Sequence, residues 1–164
     1  MKLETIWVQL ALITASVAHN ILDFGAIVDE STHSAELANS EAILNAILAA
    51  DSDDNDDGLV EIPFGMTFSS LPVRTVNLTD VTIQIDGTLL VSKDFESFPA
   101  KSDFLMFFDA RNLTFKGQGV IDGQGYMWWI REYLRKNVNG RPNLVIINEC
   151  SNIEWSGIRL LNSP

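Results

Sequence analysis

The strongest constraint on this chain is a loose repeat of short apolar segments, each set just behind a turn-forming Asx residue. Val81-Thr82-Ile83, Leu113-Thr114-Phe115 and Ile153-Glu154-Trp155 each precede a second apolar pair, with Asp80, Asn112 and Asn152 immediately before them. The spacing is unequal: 32 residues separate Val81 from Leu113, and 40 separate Leu113 from Ile153. Repeats of short strands with Asn at the turns fit a parallel β-helix, whose stacked rungs carry loops of different length. Stacking sets like residues above like, so Asx side chains at a recurrent turn can bond the rungs above and below. A β-sandwich is the rival, but it favours two-residue hairpin turns, and those are sparse here.

The strand segments are read as Leu59–Ile62, Val73–Leu78, Val81–Ile85 with Thr88–Val91, Phe104–Phe108, Leu113–Phe115 with Val120–Ile121, Leu144–Asn148, and Ile153–Trp155 with Ile158–Leu161. They alternate or run apolar, with Gly, Asn, Asp or Pro between them. Near the start, His19 to Ala26 reads as a strand and turn. One convincing helix covers Ala42, Ile43, Leu44, Ala46, Ile47, Leu48 and Ala49, with Asn39 or Ser40 as its cap. No further long helix is expected, which excludes an alternating strand–helix fold. The fold class is all-β, with the helix capping the exposed first rung.

Hydrophobic residues make up 46% and charged residues 20%, enough apolar material for a core. The net charge of −11 argues against nucleic acid as a partner, since phosphate binding needs a basic surface. Ile6 to Val17 is an apolar run behind Lys2, and Ser16-Val17-Ala18 supplies small residues at a cleavage site. Residues 1–18 are therefore expected to be a signal peptide, and 19–164 one secreted β-helix portion, with no membrane span. Asn77-Leu78-Thr79 and Asn112-Leu113-Thr114 are sequons, making Asn77 and Asn112 candidate glycosylation sites. Cys150 is the only cysteine, so no internal disulfide can form; it is read as a small buried residue, or else one that pairs outside this chain.

Four pieces then occur in order: Asp23-Phe24-Gly25-Ala26, Ser40-Glu41-Ala42-Ile43, Val60-Glu61-Ile62-Pro63-Phe64-Gly65 and Gly119-Val120-Ile121-Asp122-Gly123-Gln124-Gly125. The last is followed by Trp128-Trp129, Arg141-Pro142 and Leu161-Asn162-Ser163-Pro164. Together they resemble the polygalacturonases, family 28 of the glycoside hydrolases, over Asn20–Pro164. The resemblance implies a right-handed parallel β-helix that hydrolyses pectin-type α-linked galacturonate chains with inversion, as a monomer at full length and without a cofactor. Inversion needs a carboxylic acid for the leaving oxygen and a carboxylate base for water on the opposite face. The family supplies these from an Asn-Thr-Asp motif and an Asp-Asp pair, followed by Gly-His-Gly and Arg-Ile-Lys. None of the four occurs here, so no catalytic residue is assigned and the polypeptide itself is expected to be inactive.

Binding residues are a separate matter. Arg131, Arg135, Lys136 and Arg141, opposed by Glu132, form the only basic island. Guanidinium pairs carboxylate bidentately, so Arg135, Lys136 and Arg141, with Trp129 as a stacking surface, are the candidate contacts to galacturonate; a solvated loop is the plainer reading. Trp128 and Trp129 are taken as strand neighbours, so at most one faces substrate. Asp122 and Gln124 are expected to satisfy a turn whose glycines take positive φ. Asp53-x-Asn55-x-Asp57-Gly58 matches half of a calcium loop, but Phe64 stands where a bidentate Glu is needed, so no metal site is assigned. A non-catalytic polysaccharide-binding β-helix or adhesin remains the alternative function. A pectate lyase on the same fold fits less well with the Trp pair and the Asn-Ser-Pro segment.

Overall fold

The structure is a computed structural model that describes residues 18–51, 58–98, 102–137 and 140–164. The expected signal peptide up to Val17 and the Asp53–Asp57 loop lie outside the described residues.

Every strand pairing is parallel, and the strands stack into three sheets. The first sheet runs β1 (His19–Asn20), β2 (Leu59–Ile62), β5 (Thr82–Ile85), β8 (Arg111–Lys116), β11 (Ser151–Trp155). The second holds β3 (Thr67–Ser70), β6 (Thr88–Val91), β9 (Val120–Asp122) and β12 (Arg159–Leu161). The third holds β4 (Val73–Val76), β7 (Leu105–Phe108) and β10 (Val145–Asn148). The chain visits the sheets in that order on every circuit, which is a parallel β-helix. The sequence reading missed β3: Thr-Phe-Ser-Ser carries one large apolar residue, and the strand exists because its backbone pairs with β6.

The core fills the tube by stacking. Val60 pairs with Ile83, Ile83 with Phe115 and Phe115 with Trp155, so successive coils take 23, 32 and 40 residues. Phe68, Leu89 and Ile121 form the matching column on the second sheet, all essentially inaccessible to solvent. Phe115 also meets Phe107 of the third sheet edge-on, ring centroids 5.0 Å apart. Burying a large aliphatic or aromatic side chain contributes about 1.5–3 kcal/mol, so these columns supply much of the stability. On the outermost coil Ile147, Trp155, Leu160 and Leu161 are exposed.

The Asx ladder forms as the repeat predicts. Asn112 Nδ2 donates to Asp80 Oδ1 at 2.6 Å, and Asn152 Nδ2 donates to Asn112 Oδ1 at 2.9 Å. All three take positive φ, between 53° and 58°, where Asn and Asp are the best tolerated of the non-glycine residues. Cys150 is half-buried. Its Sγ accepts from the Ala110 backbone N–H at 3.3 Å, so it serves the turn two residues before this ladder.

Helix α1 (His33–Asp51) packs on β2, β3 and β4 and closes the end of the tube. It begins well before the expected Asn39 or Ser40 cap. Thr32 Oγ1 accepts from the Ala35 N–H, while Asn39 lies buried mid-helix, where Nδ2 donates to the Ile27 and Ser69 carbonyls. Asn39 therefore ties the helix to the sheet. Glu36 is buried on the same face; its two carboxylate oxygens accept from Ser69 Oγ at 2.7 Å and Ser92 Oγ at 2.6 Å.

A second, short helix, α2 (Tyr126–Tyr133), overturns the strand reading of the Trp pair. Its eight residues are too few for periodicity to mark them against the surrounding strand segments.

Candidate functional site

The three coils differ in length chiefly at one corner, where the second sheet hands over to the third. Only Leu71 and Pro72 lie between β3 and β4, but residues 92–104 lie between β6 and β7, and 123–144 between β9 and β10. The two long insertions lie on neighbouring coils and pack on each other. Trp128, from α2, sits between Phe95 and Phe98 in edge-on contacts of 4.7 and 5.1 Å. Arg131 reaches back across the same seam: its guanidinium lies 4.4 Å above the Phe95 ring and donates to Glu96 Oε1 at 3.1 Å.

The fourth motif and the segments that follow it in the sequence, Trp128-Trp129, Arg141 and Asn162–Pro164, form one cluster at this corner. The next coil passes close above Gly123 and Gly125: an added Cβ would lie 2.5 Å from the Asn162 oxygen at Gly123 and 2.2 Å from the Ser163 oxygen at Gly125. Close approach explains these glycines, and the expectation of positive φ fails. Gly125 has φ −63°, and the left-handed residue is Gln124 at φ 48°. Asp122 keeps the expected turn role, accepting from the Gln124 N–H at 2.8 Å, and also accepts from Asn162 Nδ2 at 3.0 Å. Gln124 reaches the preceding coil, donating from Nε2 to the Val91 carbonyl at 2.7 Å.

The candidate binding residues divide into two pairs. Trp129 is 56% exposed; its Nε1 donates to the Ser163 carbonyl at 3.1 Å, and the Arg141 guanidinium lies 3.9 Å above its ring. Arg141 also donates to the Pro164 carbonyl at 3.3 Å. Both side chains thus bind the Asn162-Ser163-Pro164 segment of their own chain. Arg135 and Lys136 follow the helix in an exposed turn and make no side-chain hydrogen bond or ion pair among the described residues. Both are free to meet a ligand. Sequence spacing marked the basic island, but could not separate cations engaged with their own chain from free ones. It also gave no sign of Phe95 and Glu96, which come from the other insertion.

A polar cavity of about 500 Å³ opens beside the corner, between α1 and the second sheet, and Lys93 stands on its wall. There His33 Nδ1 lies 3.0 Å from Asp94 Oδ2, and Ser97 Oγ donates to the same oxygen at 2.6 Å. The Ser97 hydroxyl does most to hold the Asp94 carboxyl below its usual range; partial burial opposes it and the His33 ring assists it. Asn77 and Asn112, the two sequon residues, are exposed at turns with φ 62° and 53°; Asn112 Nδ2 donates once, to Asp80, and keeps its second N–H.

The model of the glycosyl hydrolases family 28 matches residues 54–164. A probable polygalacturonase of Arabidopsis thaliana is 31% identical over 158 residues, 94% of this chain and 32% of that protein. An exopolygalacturonase of Zea mays is 35% identical over 86 residues, 51% of this chain and 21% of that protein. A probable endo-xylogalacturonan hydrolase A of Aspergillus niger is 30% identical over 123 residues, 73% of this chain and 30% of that protein. The chain thus spans about a third or less of the length of these relatives. With parallel coils in register, the family model matching most of the chain and a relative 31% identical over 94% of it, the chain belongs to family 28 of the glycosyl hydrolases.

Proposed function

We propose that this chain is the amino-terminal part of a secreted glycosidase that hydrolyses α-1,4-galacturonosyl linkages of pectin with inversion, and that its long-looped corner forms one wall of the substrate cleft. Family membership supports the reaction class, and relatives named as polygalacturonases support the substrate. The observation that carries the role of this part is the placement of the free cations. On a protein of net charge −11, Arg135 and Lys136 are exposed together on the corner that carries the long insertions. A polyanionic chain would be repelled from most of this surface and admitted there.

Hydrolysis with inversion needs two carboxyl groups about 6.5–9.5 Å apart, one acid and one base. The family's acidic motifs are absent from the sequence, so the chemistry belongs to coils this chain does not contain, and the chain alone turns over nothing. Purified residues 19–164 incubated with polygalacturonate should release no reducing ends; release above a buffer control overturns this. In a form that carries the acidic motifs, Arg135→Glu with Lys136→Glu should raise KM several-fold at similar kcat. An unchanged KM removes the corner from the cleft.

Export follows from the same reading: residues 1–18 are a cleaved leader, Asn77 and Asn112 carry glycans, and the full-length protein is an extracellular monomer needing no cofactor. Mass spectrometry of the secreted product, before and after endoglycosidase, checks the leader and both sequons.

A further inference from the structure

Trp128 combines deep burial with an unused donor. It is 3% exposed, and its indole Nε1 has no acceptor among the described residues. An unsatisfied buried donor costs about 1–3 kcal/mol, and most such groups in folded proteins find a partner. Phe95 and Phe98 hold the ring from two sides, so it cannot turn to solvent without losing both contacts. The ring lines a partly open cavity of about 60 Å³ between the two insertions, along with Arg131, Lys136, Asn137 and Ser102. A single water needs about 10–15 Å³, so the space holds a larger group.

Counting donors and acceptors shows what kind of group. Asn137 is spent: Nδ2 donates to the Trp128 carbonyl and to Glu132 Oε2, and Oδ1 accepts from Arg131 Nε. Ser102 donates to the Asp103 carbonyl. Arg131 Nη2 is used by Glu96 and the Lys136 carbonyl, which leaves Nη1. Glu96, the acid on the wall, is paired with Arg131 and 88% exposed, so it faces water. The unused donors on the wall are the Trp128 N–H, Arg131 Nη1 and the Lys136 ammonium, and two of the three are cationic. Such a set selects an anionic acceptor. A neutral hydroxyl or ester would gain no ion-paired contact from these cations.

We propose that this cavity is a subsite for a carboxylate, taking the acid group of a uronosyl residue with the Trp128 N–H and the Lys136 ammonium as its donors. This rests on the substrate class proposed above and adds the specific groups that read the acid. The probes are galacturonate, its methyl ester and galactose, titrated into the 19–164 chain with its tryptophan indole nitrogens labelled for NMR. Galacturonate should move the Trp128 indole N–H resonance saturably; galactose and the ester should not. Lys136→Met, at an exposed position, should weaken galacturonate binding about tenfold, the loss of one charge-assisted contact. A silent indole means that water alone fills the cavity, and overturns the proposal. An equal response to galactose, or full affinity in Lys136→Met, also overturns it. Polygalacturonate hydrolysis by a form carrying the acidic motifs is measured separately. Hydrolysis with a silent indole sinks the subsite alone, and a responsive indole without hydrolysis sinks the functional reading alone.

Discussion

Gly125→Ala isolates the cost of one close approach between coils. Gly125 has ordinary helical dihedrals, φ −63° and ψ −19°, so alanine meets no backbone strain there. With no other effect it would stabilise the chain by about 0.4–1 kcal/mol, by restricting the unfolded state. The structure predicts the opposite. The new Cβ would lie 2.2 Å from the Ser163 oxygen and 2.6 Å from the Asn162 oxygen, both main-chain atoms with no rotamer to escape into. Ordinary contact for such a pair is about 3.5 Å, so the Asn162–Ser163 backbone must recede by about 1 Å. The Gly125 N–H bond to the Asn162 carbonyl at 2.8 Å and the Trp129 Nε1 bond to the Ser163 carbonyl at 3.1 Å would then pass beyond hydrogen-bonding distance. The bond from Asn162 Nδ2 to Asp122 would weaken with them. At about 1 kcal/mol net for each bond, less the entropic gain, the loss is about 2 kcal/mol. Urea unfolding followed by far-ultraviolet circular dichroism reads this directly. With a slope of about 2 kcal/mol per molar, the midpoint should fall by about 1 M. Gly25→Ala is the control: nothing lies within 4 Å of its added Cβ, but φ is +92°, so only the conformational cost of about 1–2 kcal/mol applies. A Gly125→Ala midpoint equal to or above that of the parent would refute the close-approach argument.

Asn112→Asp should cost about 2 kcal/mol at neutral pH, because it replaces the bond to Asp80 with two carboxylates in contact, and most of that should return below about pH 4 as one is protonated; urea midpoints at the two pH values test it. Glu36→Ala should cost about 3 kcal/mol or more, leaving the Ser69 and Ser92 hydroxyls without their acceptor under α1, while Glu36→Gln should recover part of it; calorimetric melting of both variants decides. Asp94 has a lowered carboxyl pKa, so its contribution is present above the unfolded value near 3.8 and is lost as pH falls through the lower folded value. Ser97→Ala removes the largest cause, so the variant should be less stable than the parent at pH 7 and nearly level with it at pH 2. An equal deficit at both would show that Ser97 acts by packing.

The sequence alone determined the architecture, because the signals for it are local or periodic. Asp80, Asn112 and Asn152 mark one turn on successive coils, and the structure bonds them to one another as the repeat implies. Val60, Ile83 and Phe115 alternate with polar neighbours, so their burial in a column follows from pattern. The family was legible for the same reason: its motifs survive as short strings. Contacts between distant residues were decided only by the tertiary structure. Trp128 and Trp129 are adjacent in sequence, but a helix of eight residues sends one into a Phe95–Phe98 slot and leaves the other under Arg141. Four cations make one basic island on paper. Yet Arg131 and Arg141 are anchored to Glu96 and the Pro164 carbonyl, 35 and 23 residues away, while Arg135 and Lys136 make no such side-chain contact among the described residues. Gly123 and Gly125 looked like turn residues, and they are glycines because another coil passes above them. A side chain's type sets what it can bond. In this protein the loop on the neighbouring coil decides whether that capacity is already used.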